Sequence, residues 1–204
     1  MSDTTRFLAL HALKVKGLAS ADDLAVITGV EDLGPTLEGL VGEELVRLRT
    51  GRVGGYALTK DGRAAHAEAL PDSVSVAERA ALDEAYRTFL PVNSRFKATC
   101  TRWQCVDGGE RLNDHSDADY DARVIEDLAT THEEISAALA AVEDVSPRFG
   151  RYVPRFAAAL TRVRAGENEA FARPMSNSYH DVWMELHEDL LLTLGRERDA
   201  ADGH

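Results

Sequence analysis

Apolar side chains recur every three or four positions along most of this chain, and the period changes clearly in one place. Phe7, Leu8, Leu10, Leu13 and Val15 predict a first helix from Thr4 or Thr5 to about Lys16, ended by Gly17. Ser20 followed by Asp23 has the form of a capping box with Asp for the usual Glu. A second helix is expected there, burying Leu24, Ala25 and Ile27 and breaking at Gly29. A third spans roughly 33–44, with Pro35 in its first turn and Leu37, Leu40 and Val41 inward. Its glycines, Gly39 and Gly42, weaken it by about 1 kcal/mol each relative to alanine, which close packing would offset. Then Leu45–Arg49 alternates as a strand, residues 50–55 form a turn-rich tip, and Tyr56–Leu58 returns as the partner strand. Thr59 caps a fourth helix, Lys60 to about Leu70.

Helical spacing dominates the remainder of the chain. A fifth helix covers about 76–90, Pro91 is a kink or break, and the pattern resumes from Asn93 through Phe96, Cys100 and Trp103. The polar loop 107–117 is either mobile or organised by its carboxylates and His115. Asp117 or Asp119 caps a helix to about Val142, and Pro147 opens another that ends at Gly166. The stretch 171–198 carries the last helix, with Asn177 as expected N-cap and Gly195 as stop. The fold expected is mostly α, an N-terminal winged helix-turn-helix with a two-stranded wing followed by an antiparallel helical bundle. The domains are 1–70 for the winged helix, 71–75 for the junction, and 76–196 for a bundle that dimerises or binds an effector. Residues 197–204 read as a flexible tail.

At 44% apolar composition in 204 residues, the chain has enough for a real core. No apolar run approaches the roughly 18 residues of a membrane helix, and the start lacks the character of a secretory signal. Cys100 and Cys105 are too few for a disulfide scaffold, so a cytoplasmic location without membrane contact is expected. The net charge of −12 is unevenly spread. Residues 1–70 hold 8 basic against 10 acidic side chains, and residues 71–204 hold 15 against 25. Any footprint for nucleic acid must therefore be local and on the first module.

The last helix holds the candidate chemistry. His180, Met184, His187 and Leu191 share a face beside a stripe of Trp183, Leu186, Leu190 and Leu194. His180 and His187 stand two turns apart, about 10.5 Å along the axis, too far for an easy shared metal. No metal site and no cofactor is assigned. The candidate ligand-binding residues are Trp103, His115, Tyr179, His180, Trp183 and His187, with bundle core as the competing role for the aromatics. Glu185, Glu188 and Asp189 read as solvated or helix-pairing charges, and Arg102 and Arg173 as acid-effector contacts or structural ion pairs. Cys100 reads as a small buried hydrophobe. No phosphate-cradling loop, nucleophile elbow or triad pattern is visible, and no catalytic residue is assigned.

Tyr56-Ala57-Leu58-Thr59-Lys60-Asp61-Gly62-Arg63 resembles the stretch that ends the wing and starts the next helix in bacterial MarR- and PadR-type regulators. Segments such as Phe89–Asn93, Cys100–Gln104, Asn113–Asp117 and Ser178–Leu190 resemble uncharacterised actinobacterial winged-helix proteins. They also resemble segments attached to proteins related to pyruvate phosphate dikinase. The resemblance implies a DNA-binding regulator, or an accessory role near a phosphoenolpyruvate-type enzyme. The expected reading is a homodimeric regulator of double-stranded DNA controlled by a small-molecule effector. DNA contacts fall to Thr36, Arg47, Arg49, Arg52 and Lys60, with Arg52 the leading phosphate contact. Against it, the reading helix carries Glu38, Glu43 and Glu44 and no cation before Arg47. The alternatives are an accessory or small-molecule-binding protein whose winged helix docks protein, and an enzyme built on His115, His180 and His187.

Overall fold

A computed structural model describes residues 3–51 and 54–197. The chain divides into two compact units, Met1–Val76 and Ala77–His204. In the first, α1 (Asp3–Lys16), α2 (Ala21–Thr28) and α3 (Gly34–Gly42) precede a hairpin of β1 (Val46–Arg49) and β2 (Gly55–Leu58), and α4 (Lys60–Ala69) follows. This is a winged-helix arrangement in the general sense.

Local signals act where the sequence puts them. Ser20 Oγ accepts from the Asp23 amide at 3.0 Å, and Asp23 Oδ2 accepts from the Ser20 amide at 3.3 Å, so both halves of the capping box form. Gly29 ends α2 at φ 66°. The strands are antiparallel, with Val46 opposite Leu58 and Arg49 opposite Gly55, and a bridge from Ala19 to Tyr56 ties β2 to the α1–α2 connection. Leu10, Leu13, Leu24, Leu37, Leu40 and Val46 meet in one core.

The third helix is shorter than expected. It stops at Gly42, and Glu44 turns left-handed at φ 60°. A β carbon on Gly42 would meet nothing within 4 Å, so no close packing compensates that glycine; it marks the helix end instead. Gly62 is the opposite case, since a β carbon there would overlap the Leu45 carbonyl oxygen. Thr59 fixes this crossing. Its amide donates to Leu45 at 3.0 Å, and its hydroxyl donates to Glu44 at 2.7 Å and accepts from the Gly62 amide at 3.0 Å. Gly62→Ala is expected to destabilise the unit by about 1–3 kcal/mol through overpacking. Hydrogen exchange at the β1 and α4 amides checks this, and wild-type protection in the variant would show that the crossing yields without cost.

In the second unit, α5 (Val76–Gln104) continues through Pro91, so of the kink or break expected there the helix does not break. Pro91 is exposed, while Phe89, Val92, Asn93 and Phe96 are buried on either side of it. Their packing outweighs the helical bond that proline cannot make. The loop beyond is organised by two short antiparallel strands, β3 (Cys105–Val106) and β4 (Arg111–Leu112). Asp117 Oδ1 then accepts from the Tyr120 amide at 2.9 Å and starts α6 (Ala118–Glu143). The helix expected from Pro147 is two pieces, α7 (Pro147–Gly150) and α8 (Tyr152–Arg164), followed by α9 (Glu169–Ala172).

The last helix, α10 (Tyr179–Leu194), is capped by Ser178 rather than Asn177. Ser178 Oγ accepts from the Asp181 amide at 3.1 Å, and Asp181 Oδ2 accepts from the Ser178 amide at 3.2 Å. Asn177 itself is left-handed at φ 52°. Gly195 ends the helix as expected. Tyr179, Val182, Trp183, Leu186, Leu190 and Leu191 are all buried, so α10 is enclosed on most of its circumference. It runs antiparallel to α5: Phe96 meets Tyr179, Phe89 meets Trp183, and Tyr86 meets His187. No described helix is long and apolar enough to cross a membrane. Most of the expected tail, 198–204, lies outside the described residues.

Candidate nucleic-acid interface and bundle core

Arg47 and Arg49 are both exposed on β1 and, two positions apart, share one face of the hairpin. Lys60 is exposed at the first turn of α4. Arg63 folds back onto the hairpin, donating to the Leu58 carbonyl at 3.1 Å. Thr36 is only 4% exposed. Its side chain lies in the core side of α3 and offers no surface to a base or phosphate, which corrects its expected role. Arg52 lies outside the described residues.

The outer side of α3 presents Gly34, Pro35, Glu38, Val41 and Gly42, flanked by exposed Glu31, Asp32, Glu43 and Glu44. One of these acids is compensated. Arg6 Nη1 donates to Glu43 Oε1 at 2.7 Å, and this bond lowers the Glu43 carboxyl below the usual range. The exposed cations Arg47, Arg49 and Lys60 thus lie on the wing strand and the first turn of α4, while Lys14 and Lys16 lie on the last turn of α1.

The bundle residues expected to line a ligand pocket are packed against one another. Trp183 is 1% exposed, stacks on Phe96 with ring centroids 4.2 Å apart, and donates its indole N–H to Asn93 Oδ1 at 2.8 Å. Tyr179 packs on Phe156 at 4.8 Å, and burial raises its phenol far above the ordinary value. His187 is buried against Phe89, at 5.0 Å between ring centroids. His180 is half-buried and its imidazole is shifted down by burial. Cys100 is buried too, and its thiol is pushed up to about 12.

Trp103 and His115 stand apart from these. Trp103 lies between Phe171 and His115, at 4.5 and 4.4 Å. His115 Nδ1 bonds Asp121 Oδ2 at 2.9 Å, and Asn113 Nδ2 donates to Asp121 Oδ1 at 2.8 Å and to the Trp103 carbonyl at 3.1 Å. The imidazole therefore closes the loop onto the end of α5. His187 packs 14 positions earlier on that helix, beside Phe89, which is about 20 Å along the axis. The three histidines do not converge, and the described residues contain no cluster of three or more potential ligands able to hold a metal.

Glu185 and Asp189 take the helix-pairing role of their two expected ones and not the solvated one, because they are buried at 6% and 2%. Arg155 pairs with Glu185 in a contact almost closed to water. Asp189 Oδ1 faces Arg148 Nη2 at 3.2 Å, and Asp189 Oδ2 accepts from the Tyr152 hydroxyl at 3.0 Å. Thr193 Oγ1 accepts from Arg148 at 2.7 Å. Burial, with the Asp189 charge added, lifts the Tyr152 phenol so that it remains a donor. A usable signal was the matched spacing: acids at 185 and 189 on one helix, and Arg148, Tyr152 and Arg155 at helical intervals in another segment. Arg102 and Arg173 make surface pairs, with Asp127 at 2.6 Å and with Glu169.

No family model, curated protein or solved structure matches the chain.

Proposed function

We propose that the chain is a DNA-binding transcription regulator whose first unit grips duplex DNA mainly through its wing. The observation that carries this reading is the exposed pair Arg47 and Arg49 on one face of β1, with Lys60 exposed at the start of α4. Phosphate neutralisation supplies most of the affinity of such modules, and guanidiniums on a hairpin are suited to it. Because α3 presents Glu38 rather than cations, the helix contributes little phosphate attraction. Two modules in a homodimer would double the small basic surface and match paired half-sites. The likeness of Tyr56–Arg63 to the wing-to-helix stretch of MarR- and PadR-type regulators supports the same assignment.

We assign dimerisation and effector control to the bundle. Its packed aromatic strip suits a rigid wall more than a ligand chamber. An open depression of about 330 Å³, lined by Arg102, Tyr120, Arg123, Val124, Glu126 and Asp127, is the place we assign to a small effector.

Selection from genomic fragments with the full chain at physiological salt tests the reading. Duplexes should be recovered specifically. In the double variant Arg47→Ala/Arg49→Ala, the slope of log affinity against log salt should fall by about 1 for each phosphate left without its guanidinium. A folded double variant that binds as the wild type does would overturn the wing assignment.

A second reading rests on the exposed surface of α3. Glu38, with exposed Val41 one turn further on the same helix, forms an acidic-apolar surface better suited to a protein partner than to phosphate. Failure to enrich any fragment favours that docking role.

A further inference from the structure

The depression in the second unit carries charges of both signs. Arg102 from α5 and Tyr120, Arg123, Val124, Glu126 and Asp127 from α6 surround about 330 Å³ of space. Tyr120 and Val124, four positions apart on one face of α6, supply the apolar part of the lining. The Tyr120 ring is pinned in place, because its hydroxyl is engaged by the Arg102 and Cys105 carbonyl oxygens at 3.0 and 3.3 Å.

The four charges are not equivalent. Arg102 Nη2 lies 2.6 Å from Asp127 Oδ2, so these two neutralise each other and join α5 to α6. Among the described residues, Arg123 and Glu126 have no ion-pair partner. The Arg123 guanidinium lies over the Tyr120 ring, 5.9 Å from its centroid, and both Arg123 and Glu126 are exposed. Three positions apart on α6, they are neighbours on the helix surface, with β carbons about 5–6 Å from each other. A mutual ion pair between such exposed side chains is worth roughly a factor of two to five, so a bound molecule displaces it readily.

A ligand of a single charge fits this lining poorly. A carboxylate that meets Arg123 also meets the repulsion of Glu126, and an amine that meets Glu126 also meets that of Arg123. We propose that the depression binds a small zwitterion, an α-amino acid with an apolar side chain. Its carboxylate pairs with Arg123, its ammonium pairs with Glu126, and its side chain lies along Tyr120 and Val124. In an α-amino acid the nitrogen and the carboxylate carbon are about 2.5 Å apart on one tetrahedral carbon, within reach of two flexible side chains on adjacent turns. The inference rests on the assignment of the effector to this depression and adds its chemistry.

The seat adjoins a junction that occupancy would brace. Asp121, next to Tyr120, bonds His115 at 2.9 Å and Asn113 at 2.8 Å, which ties the loop after α5 to the first turn of α6. A ligand resting on Tyr120 therefore stiffens this tie together with the Arg102–Asp127 pair. Binding here does not depend on whether the first unit contacts DNA.

The test is an NMR titration of the full chain at neutral pH and low salt, where surface charges are least screened. The probes are L-phenylalanine and two analogues that each lack one charge, 3-phenylpropionate and phenethylamine. L-Phenylalanine should shift the Tyr120, Val124 and Asp127 amides, and each analogue should bind about tenfold more weakly. Arg123→Gln should remove the advantage over phenethylamine, and Glu126→Gln the advantage over 3-phenylpropionate. Both positions are exposed, so neither change disturbs the core. If either analogue matches L-phenylalanine at these amides, the zwitterion is overturned while the depression stands as an effector site. Binding of L-phenylalanine that neither variant weakens overturns the charge pairing in the same way. If none of the three probes moves these amides, the zwitterion and the depression as an effector seat fall together.

Discussion

Trp183→Ala is expected to destabilise the second unit by about 3–5 kcal/mol, the range for deleting a large aromatic from a core. The indole touches Phe96, Phe89 and Phe156, with ring centroids 4.2, 5.2 and 5.8 Å away. Those rings are on α5 and α8 and cannot all collapse into the space left. The substitution also removes the donor to Asn93 Oδ1 inside the core. Trp183→Phe keeps most of the volume and loses the bond, so its smaller cost, on the order of 1–3 kcal/mol, isolates the buried acceptor. Urea unfolding followed through the remaining tryptophan, Trp103, measures both changes in the correct unit. A loss below about 1 kcal/mol for Trp183→Ala would mean that the strip has room to close, and would revive the case for a ligand chamber there.

Asp189→Ala is expected to cost a similar amount, about 3–5 kcal/mol, for an electrostatic reason. It strips a carboxylate from Arg148, whose side chain is 11% exposed, and removes the acceptor for the Tyr152 hydroxyl. Burying a charge is unfavourable unless a counter-charge and hydrogen bonds replace its water. Replacing both members of the neighbouring pair, Arg155→Met with Glu185→Leu, should be close to neutral, because the desolvation penalty disappears with the attraction. A double-mutant cycle over Arg155 and Glu185 separates the coupling from the cost of either single change. If Asp189→Ala is as mild as a surface substitution, water must reach this network.

Much of this architecture was legible because its causes are local. The capping of α2 by Ser20 and Asp23, its stop at Gly29, and the start of α4 at Thr59 each involve groups within a few positions of one another. The alternation before residue 50 fixed the hairpin, and the apolar spacing fixed the α-helical second unit. Local reasoning misplaced the α10 cap by one residue because Asn177 and Ser178 are both good caps. The geometry of Asp181 decides between them.

Tertiary packing decided the rest. Pro91 lies within an unbroken helix because the flanking buried side chains retain it, a long-range effect. The aromatic strip had ligand and core readings until Trp183, Tyr179 and His187 were placed against α5 and α8. Glu185 and Asp189 had both a solvated and a helix-pairing reading because a carboxylate's burial depends on what faces it, here Arg155 and Arg148. A contact between the rings of His11 and His66 left no mark in the sequence, since it exists only when α1 and α4 meet.

By itself, then, the sequence determined the elements, the winged-helix order of the first 70 residues and the helical character of the remainder. Those depend on backbone caps and apolar period, which act over one or two turns. Only the tertiary structure decided which polar and aromatic groups are enclosed and which remain at the surface. Burial is a property of two faces in contact, and neither face specifies it alone.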